Sequence, residues 1–336
     1  MVCPADPAIA PASRTLAGDR GGRALVDELP RQPRHRQEAA KGRYNNRPAA
    51  VEPTTMLSYR HAFHAGNHAD VLKHLAQVLV LDYLLQAKPG KPLCYIDTHA
   101  GPGGYALLQG YATQNEEFRS GISPLWRQPD LPAPLARYLQ VVASFNPAAA
   151  LTHYPGSPAI ARQLLRGTDR LELCELHPAE FDALRRWSKG DRRIRLRRED
   201  GLDALAALLP PRERRALILL DPSYELKTDY TRVPDKLRAA LRRFATGVYL
   251  LWYPLLDRAD SHTLAQTLGL LPGRHLQAEL QVKAADQGGL YGGGVFVINP
   301  PWVLERQLRE CLVYLRRHLG QDAQARYSLT TSAQID

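Results

Sequence analysis

The chain has 336 residues, of which 44% are hydrophobic and 23% are charged, as in ordinary soluble globular proteins. No stretch approaches the roughly 18 apolar residues of a membrane span, and the N-terminus lacks the apolar segment of a secretory signal. Lysine and arginine outnumber the acidic residues by 44 to 34, which gives a formal net charge of +10. This charge favours a polyanionic partner, because neutralised phosphates release counterions; a merely basic surface is the alternative.

Four cysteines are spread along the chain, at Cys3, Cys94, Cys174 and Cys311. They are far apart and form no C-x-x-C pair, so we expect reduced, mostly buried thiols. Together with the missing signal and membrane span, this pattern predicts a cytoplasmic protein that does not enter a membrane.

Residues 1–55 differ in composition from the rest of the chain. They are rich in alanine, arginine and proline and show no helical or strand periodicity, which predicts a disordered extension. Met56 stands immediately before the first organised segment. An upstream start assigned in error explains the extension better than a basic arm that grips RNA, because its acidic residues nearly offset its arginines and lysines.

The first regular element after Met56 is a helix. Between residues 68 and 87 the apolar residues follow helical spacing, with Asn67 as a cap and Lys88-Pro89-Gly90 as a stop. Short apolar runs then alternate with helical stretches, which predicts a parallel, doubly wound α/β sheet. The predicted strands are Leu93–Asp97, Leu171–Glu175, Ile194–Arg197, Ala216–Asp221, Gly247–Trp252, Leu276–Lys283 and Gly294–Asn299. The predicted helices between them include Ala179–Trp187, Leu202–Leu209, Tyr230–Phe244 and Ser261–Leu268.

Two spacings refine this architecture. Only residues 284–293 separate the last two strands, too few for a helical crossover, so we expect an antiparallel hairpin at the sheet edge. A seven-stranded, mostly parallel sheet with such an edge pair is the Rossmann-like architecture of class I methyltransferases. About seventy residues separate the first two strands, far more than one crossover helix needs. We therefore predict a small helical insertion over about 109–154, which includes the helical stretch Leu135–Phe145 and is placed to contact substrate.

A glycine-rich turn and two acidic residues follow the first three strands. The turn Thr98–Tyr105, which includes Gly101, would let a cofactor approach the backbone, and it lacks the full G-x-G-x-x-G spacing of dinucleotide sites. Glu175 ends the second strand, where carboxylates commonly bind ribose hydroxyls. Asp200 and Gly201 follow the third strand, where they can reach the adenine ring of a cofactor. Capping of the following helix is an equally open interpretation of Asp200.

The tetrapeptide Asp221-Pro222-Ser223-Tyr224 follows the fourth strand. The lone pair of an exocyclic amino nitrogen such as that of adenine is delocalised into the ring, which makes the nitrogen a poor nucleophile. A carboxylate and a proline carbonyl that accept its N–H bonds would localise this lone pair, and an aromatic ring stacked on the base would fix its plane. The motif therefore predicts methyl transfer to a planar amino group, with Asp221, Pro222 and Tyr224 as catalytic residues.

A second candidate for this loop is Asn299-Pro300-Pro301-Trp302, which carries both prolines of the pattern. Only 34 residues follow it, mostly one predicted helix (Val303–His318), so the remaining strands of the sheet would have no source. We interpret it as a strand end with a stiff turn into the last helix.

Histidines and arginines are the other polar candidates. Four histidines crowd one segment, at His61, His64, His68 and His74. His64 and His68 are spaced i, i+4 and could face a zinc ion, but Gly66 interrupts that face and no cluster elsewhere completes a site. We therefore predict no metal and expect these groups to face an RNA backbone or a cofactor carboxylate. Arginines are dense between residues 185 and 215. They are candidates for phosphate contacts, and a solvent-exposed charged surface is the alternative interpretation.

Over essentially all of residues 56–330, the chain resembles the RlmJ family of 23S ribosomal RNA adenine-N6 methyltransferases. The most specific match is the segment from Met56 to His74. Shorter matches are Asp97–Gly101, Tyr154–Pro158, Glu175–Pro178, Leu251–Pro254 and Asn299–Trp302. The resemblance implies that residues 56–336 form a methyltransferase domain that uses S-adenosylmethionine to methylate one adenine, nucleotide 2030 in the bacterial reference numbering. It also implies protein-free or early precursor 23S rRNA as the partner, and we expect a monomer.

The resemblance also assigns site residues. The family's cofactor residues correspond to His74, His99, Ser157, Glu175, Asp200 and Gly201, and we add Gly101 of the glycine-rich turn. Asp221 corresponds to the catalytic acid and is also expected beside the cofactor. We expect RNA contacts from Tyr59, Arg60, His61 and Lys73, of which Tyr59 corresponds to a residue on the RNA-facing side of the family's pocket.

Two features depart from the family, and two alternatives to it remain open. The extension over residues 1–55 has no counterpart, and Ser223 stands where the family's loop usually has a second proline, so the loop loses rigidity that would serve rate or base selection. A DNA adenine or protein glutamine methyltransferase would share the same catalytic loop. A non-catalytic rRNA-binding assembly factor that has lost activity through Ser223 is the other alternative.

Overall fold

The computed structural model describes residues 61–110 and 112–332. The predicted disordered extension (residues 1–55) and the predicted RNA contacts Tyr59 and Arg60 lie outside the described residues. The helices are α1 (His68–Ala87), α2 (Ala112–Asn115), α3 (Ala133–Ser144), α4 (Ser157–Leu164), α5 (Pro178–Trp187), α6 (Gly201–Leu208), α7 (Asp229–Arg243), α8 (Ala259–Gly269) and α9 (Leu304–Leu319). The strands are β1 (Cys94–Asp97), β2 (Gly104–Ala106), β3 (His153–Pro155), β4 (Arg170–Cys174), β5 (Ile194–Arg197), β6 (Ala216–Leu220), β7 (Val248–Leu256), β8 (His275–Gln281), β9 (Leu290–Ile298) and β10 (Arg326–Thr331).

One large sheet holds eight of these strands, in the order β10-β8-β9-β7-β6-β1-β4-β5. The strands β7, β6, β1, β4 and β5 run parallel to one another. Strand β9 is antiparallel to both β7 and β8, and β10 is antiparallel to β8. The predicted Rossmann-like α/β class is therefore confirmed, as is the antiparallel β8–β9 hairpin.

Two details of the predicted sheet are wrong. The sheet has eight strands rather than seven, because β10 follows the last helix and pairs with β8. Only Tyr327 and Leu329 of β10 pack against the core, so this strand has no apolar run by which a sequence reading could find it. The β8–β9 hairpin is also not at the edge of the sheet. Strand β9 lies between β7 and β8, and β10 pairs with the other side of β8 and forms the edge.

Helix α1 is the central helix of the molecule. All of its residues from His68 to Leu81 are buried, and it contacts β9, α3, α4 and α9. A helix that is buried on every side has apolar residues around its whole circumference. Most of its buried polar side chains have a partner inside the protein, as Asp70, Lys73 and His74 do. The predicted cap is confirmed, because Asn67 Oδ1 accepts hydrogen bonds from the backbone N–H groups of Ala69 (2.9 Å) and Asp70 (3.0 Å).

The strands bury side chains on both faces of the sheet. In β6, Leu217 and Leu219 pack into the core that includes α1, α4 and α9, whereas Ile218 and Leu220 pack into the core with α6, α7 and α8. This division follows from the alternation of side chains along a strand. Helices on both faces explain why β6, at the centre of the sheet, is apolar throughout rather than alternately polar.

The register of the sheet separates the two candidate loops. Leu220, which precedes Asp221, pairs with Leu251 near the middle of β7. Ile298, which precedes Asn299, pairs with Tyr249 near the start of the same strand. Since β7 is parallel to β6 and antiparallel to β9, Asp221 lies at the carboxyl edge of the parallel strands and Asn299 at the opposite edge.

The segment between β2 and β3 contains α2, two short 3-10 turns (Glu117–Arg119 and Ser123–Leu125) and α3. It packs against the start of α1, where the Glu117 carboxylate accepts a hydrogen bond from Asn67 at 2.9 Å and lies 2.8 Å from His64 Nδ1. The Ile122 N–H also donates to the Gly66 carbonyl at 2.8 Å. Its role as an insertion that contacts substrate remains a prediction.

The burial of α1 predicts a large stability effect for a substitution in its core. Leu72 is fully buried, so Leu72→Ala should lower the free energy of unfolding by about 2–5 kcal/mol through lost burial and the cavity left behind. Val313→Ala, on the exposed side of α9, is the control and should change it by less than about 0.5 kcal/mol. Urea denaturation measures both, and equal effects of the two variants would contradict the central position of α1.

Candidate active site

A cleft lies at the carboxyl edge of the parallel strands, beside the ends of β1, β4 and β6. All eight predicted cofactor residues line it: His74, His99, Gly101, Ser157, Glu175, Asp200, Gly201 and Asp221. Pro222, Ser223, His61 and Lys73 line it as well. Parallel strands meet at this edge, which is why residues far apart in sequence converge there.

Lys73 is held between two carboxylates at one side of the cleft. Its Nζ lies 2.5 Å from Asp221 Oδ2 and 2.8 Å from Asp70 Oδ1. Burial disfavours the charged lysine, but the charges of Asp221 and Asp70 and the hydrogen bonds to both prevail, so the pKa of Lys73 is raised above its ordinary value. The ammonium therefore stays charged and fixes one oxygen of Asp221.

Asp70 is the buried anchor of this group. Its carboxylate lies 2.9 Å from His61 Nε2 and accepts the Gly66 backbone N–H at 2.8 Å, in addition to the Lys73 ammonium. Burial raises the pKa of a carboxyl group, but the contact with His61 and the charge of Lys73 act in the opposite direction and hold the pKa of Asp70 well below its usual range. The anchor is thus ionised.

Lys73 is a buried residue of the cleft, because only 4% of its side chain is exposed and its ammonium pairs with Asp70 and Asp221. This pairing does not favour its predicted contact with RNA, which stays a prediction. His61 lies at the cleft as a partner of Asp70, with 21% of its side chain exposed.

Glu175 lines the cleft directly after the end of β4. Its two oxygens accept the backbone N–H groups of Gly101 (2.8 Å) and His177 (2.7 Å). Burial raises the pKa of Glu175 to about 7, although these two hydrogen bonds favour the ionised form. A carboxylate oriented in this way keeps lone pairs for further donors.

Asp97 holds two residues that line the cleft, Ser157 and His99, a role that was not predicted from the sequence. It accepts hydrogen bonds from the hydroxyl groups of Ser157 and Tyr95, both at 2.7 Å, and from the backbone N–H of His99 at 3.2 Å. Burial raises its pKa to about 6, against the effect of these hydrogen bonds. The sequence signal that could have identified Asp97 is its position as the last residue of the predicted strand Leu93–Asp97.

The two histidines predicted at the cofactor site are buried, and each has a hydroxyl group as its hydrogen-bond partner. His74 Nδ1 lies 2.8 Å from the Tyr154 hydroxyl, and His99 Nδ1 lies 2.7 Å from Thr98 Oγ1. Burial lowers the pKa of His74 to about 3 and that of His99 to about 4. Both imidazoles are therefore neutral near pH 7.

Asp200 caps helix α6 and also lines the cleft, so the capping interpretation is confirmed and its contact with a cofactor stays a prediction. Its Oδ1 accepts the backbone N–H groups of Leu202 (2.9 Å) and Asp203 (3.2 Å) at the start of α6. Its Oδ2 accepts from Arg232 Nη1 at 2.8 Å. The neighbouring Gly201 must be glycine, because a Cβ there would overlap the Thr98 backbone carbonyl.

Tyr224 does not face the cleft, which corrects its predicted position. Its side chain is buried, its ring centroid lies 4.9 Å from that of Tyr230 and 6.2 Å from that of Trp252, and its hydroxyl donates to the Trp252 carbonyl at 3.3 Å. Its φ of +54° is in the left-handed region, which is uncommon for a residue other than glycine. In this arrangement the Tyr224 ring packs behind the loop, and the stacking of a base on it stays a prediction.

Among the described residues, no group of three or more histidine, cysteine and acidic side chains is arranged to hold a metal ion. His64 is paired with Glu117, whereas His68 Nε2 is buried without a hydrogen-bond partner.

The described helices include none with the length and apolar character needed to cross a bilayer. The cysteines Cys94, Cys174 and Cys311 are buried free thiols, as predicted.

The sheet order, the acidic residues after β4 and β5 and the Asp-Pro loop after β6 define a class I methyltransferase. A family model described as ribosomal RNA large subunit methyltransferase D, RlmJ, matches residues 90–331. The chain therefore belongs to the RlmJ family of ribosomal RNA large subunit methyltransferases.

Individual relatives agree with this assignment. Ribosomal RNA large subunit methyltransferase J of Escherichia coli K12 is 47% identical over 266 residues, which are 79% of this chain and 94% of that protein. The protein of the same name from Haemophilus influenzae is 43% identical over 267 residues, with the same shares of each chain covered. A crystal structure of a Legionella pneumophila protein superposes with a TM-score of 0.75 at 34% identity, over 81% of this chain and 99% of that one.

The buried charge group predicts a pH-dependent loss of stability. Lys73→Met leaves Asp70 and Asp221 without their shared ammonium, which should lower the free energy of unfolding by about 3–5 kcal/mol at pH 7. The pKa of Asp70 is depressed in the folded protein, so its stabilising pairs are present above the ordinary aspartate pKa and lost as the pH falls through the folded value. The difference in the free energy of unfolding between wild type and Lys73→Met should therefore become smaller below about pH 4.

Denaturant unfolding across this pH range measures the effect, with Lys189→Met as the matched control at an exposed lysine. A constant difference between wild type and Lys73→Met from pH 7 to pH 3 would contradict the ionic origin of the effect.

Proposed function

We propose that the protein transfers a methyl group from S-adenosylmethionine to N6 of one adenine in 23S rRNA, the nucleotide implied by the family resemblance. The observation that carries this proposal is the convergence of Asp221 and Pro222 with Glu175 and Asp200 in one cleft. Membership of the RlmJ family and the printed names of the relatives support rRNA as the substrate class. The substrate is naked or early precursor rRNA, and the protein acts as a cytoplasmic monomer.

The cleft has the donor and acceptor groups that S-adenosylmethionine needs. We assign the ribose hydroxyls to Glu175, the adenine amine to Asp200, and the adenine faces to the apolar side chains of Leu176 and Leu202, which also line the cleft. When bound, the cofactor supplies an electrophilic methyl group on a sulfonium. The neutral state of His74 and His99 avoids like-charge repulsion beside that sulfonium.

The target side is built around Asp221. Lys73 fixes its Oδ2, so we assign the hydrogen bond from the adenine amine to Oδ1 and the second one to the Pro222 carbonyl. These two acceptors keep the nitrogen lone pair directed at the methyl group. Because an adenine inside a helix cannot reach this cleft, the base has to be splayed out of its stack.

The first prediction of this proposal concerns Asp221. Asp221→Asn should lower the methylation rate of transcribed 23S rRNA by at least about a hundredfold, because a preorganised anionic acceptor is lost. Transfer of radiolabelled methyl measures the rate, and Asp235→Asn on the exposed side of α7 is the matched control.

Parallel assays on duplex DNA and on release factor test the DNA adenine and protein glutamine alternatives. Methyl transfer to either of these substrates but not to rRNA would reject the proposal. Tight cofactor binding with no turnover on any rRNA would instead favour the non-catalytic assembly factor.

The second prediction concerns the pH dependence of cofactor binding. The ionised form of Glu175 accepts two hydroxyl donors, and its pKa is about 7 because burial outweighs the backbone hydrogen bonds. The affinity for S-adenosylhomocysteine should therefore rise by about tenfold from pH 6 to pH 8, since the ionised fraction rises over that range. Calorimetric titration measures it. Glu175→Gln should bind more weakly and show a flat profile, and a wild-type slope in that variant would contradict the assignment.

A further inference from the structure

Arg232 bridges two acidic residues across the cofactor side of the cleft. It lies in the first turns of α7 and donates from Nη1 to Asp200 Oδ2 at 2.8 Å. Its Nη2 lies 3.0 Å from Asp203 Oδ2, and the other oxygen of Asp203 lies 2.6 Å from Lys236 Nζ. Two helices, α6 and α7, are joined through this group.

These contacts fix the orientation of the Asp200 carboxylate. The cap of α6 uses Oδ1 twice and Arg232 uses Oδ2 once. A carboxylate has about four lone-pair sites, so one acceptor position remains for a ligand in the cleft. Burial raises the pKa of Asp200, but the hydrogen bonds from Arg232 and the Asp203 N–H, together with the charge of Arg232, outweigh it, and the pKa lies below its usual value. The remaining lone-pair position of the Asp200 carboxylate therefore accepts a hydrogen bond from an N–H or O–H group of a ligand and repels a ligand oxygen or nitrogen that is itself an acceptor.

Arg232 also lies close to the catalytic loop in sequence. Helix α7 begins at Asp229, directly after the segment that starts with Asp221, and both Asp229 and Arg232 line the cleft. The bridge thus ties the end of the catalytic loop to the helix that begins beside Asp200. No sequence pattern predicts a role for Arg232.

We propose that Arg232 is a positioning residue that holds Asp200 as an acceptor for the exocyclic amine of the cofactor's adenine, and thereby selects adenine at this position. This inference rests on the proposed use of S-adenosylmethionine. It predicts discrimination between a purine with an amine at position 6 and one with a carbonyl there, because the carbonyl would face the Asp200 oxygen.

The test compares the binding of S-adenosylhomocysteine and S-inosylhomocysteine to the full chain by calorimetry. Wild type should prefer the adenine compound by about tenfold or more, the range expected for a hydrogen bond to a charged group. Arg232→Met should lose most of this preference through weaker binding of the adenine compound. At saturating cofactor its methylation rate should stay within about threefold of wild type, because Arg232 makes no contact with Asp221.

Two further variants make the test specific. Arg238→Met removes an exposed arginine on the same helix, where it pairs with Asp235, and should keep the wild-type preference. Arg232→Gln repeats the test without the charge, and thermal melting establishes which variants are folded. An unchanged preference in a folded Arg232→Met or Arg232→Gln variant would overturn the inference. Failure of wild type to bind either compound would instead reject the proposed cofactor.

Discussion

The ammonium of Lys73 between Asp70 and Asp221 is the interaction on which the site depends. It joins the central helix α1 to the loop after β6, two segments separated by 148 residues in sequence. Inside a protein an unpaired charge is strongly destabilising, so each member of the group requires the others. The same contact that stabilises α1 in the core therefore fixes the orientation of the proposed catalytic carboxylate.

The sheet topology gives this interaction its chemical surroundings. Parallel strands bring Asp97, Glu175 and Asp221 to one edge, and the antiparallel course of β9 carries Asn299 to the other. The cleft then has two sides with different electrostatics. On one side a buried ammonium holds Asp221, and on the other a surface guanidinium holds Asp200.

Much of this arrangement could be predicted from the sequence. Apolar runs identify β1 and β6, and alternating apolar residues identify β4 and β5. The residues that follow parallel strands must meet at one edge, so Glu175, Asp200 and Asp221 could be grouped without coordinates. The cap at Asn67 and the rejection of Asn299 as the catalytic position follow from equally local rules and from counting strands.

The rest depended on contacts that no local pattern encodes. Lys73 resembles a surface cation in sequence, and only the packing of α1 shows that its partner is Asp221. Tyr224 was expected to face a base, but its left-handed backbone turns the ring into the core. Strand β10 has too few apolar residues to be recognised, since an edge strand buries little. Asp200 can be a cap, a ligand or both, and Arg232 decides its orientation.

The central claim is that this cleft methylates one adenine of 23S rRNA at N6. Mass spectrometric mapping of 23S rRNA from a strain that lacks the gene tests it most directly. The account predicts that a single N6-methyladenine is absent and that the purified protein restores it on the isolated rRNA. An unchanged set of methylated adenines in that strain would contradict it.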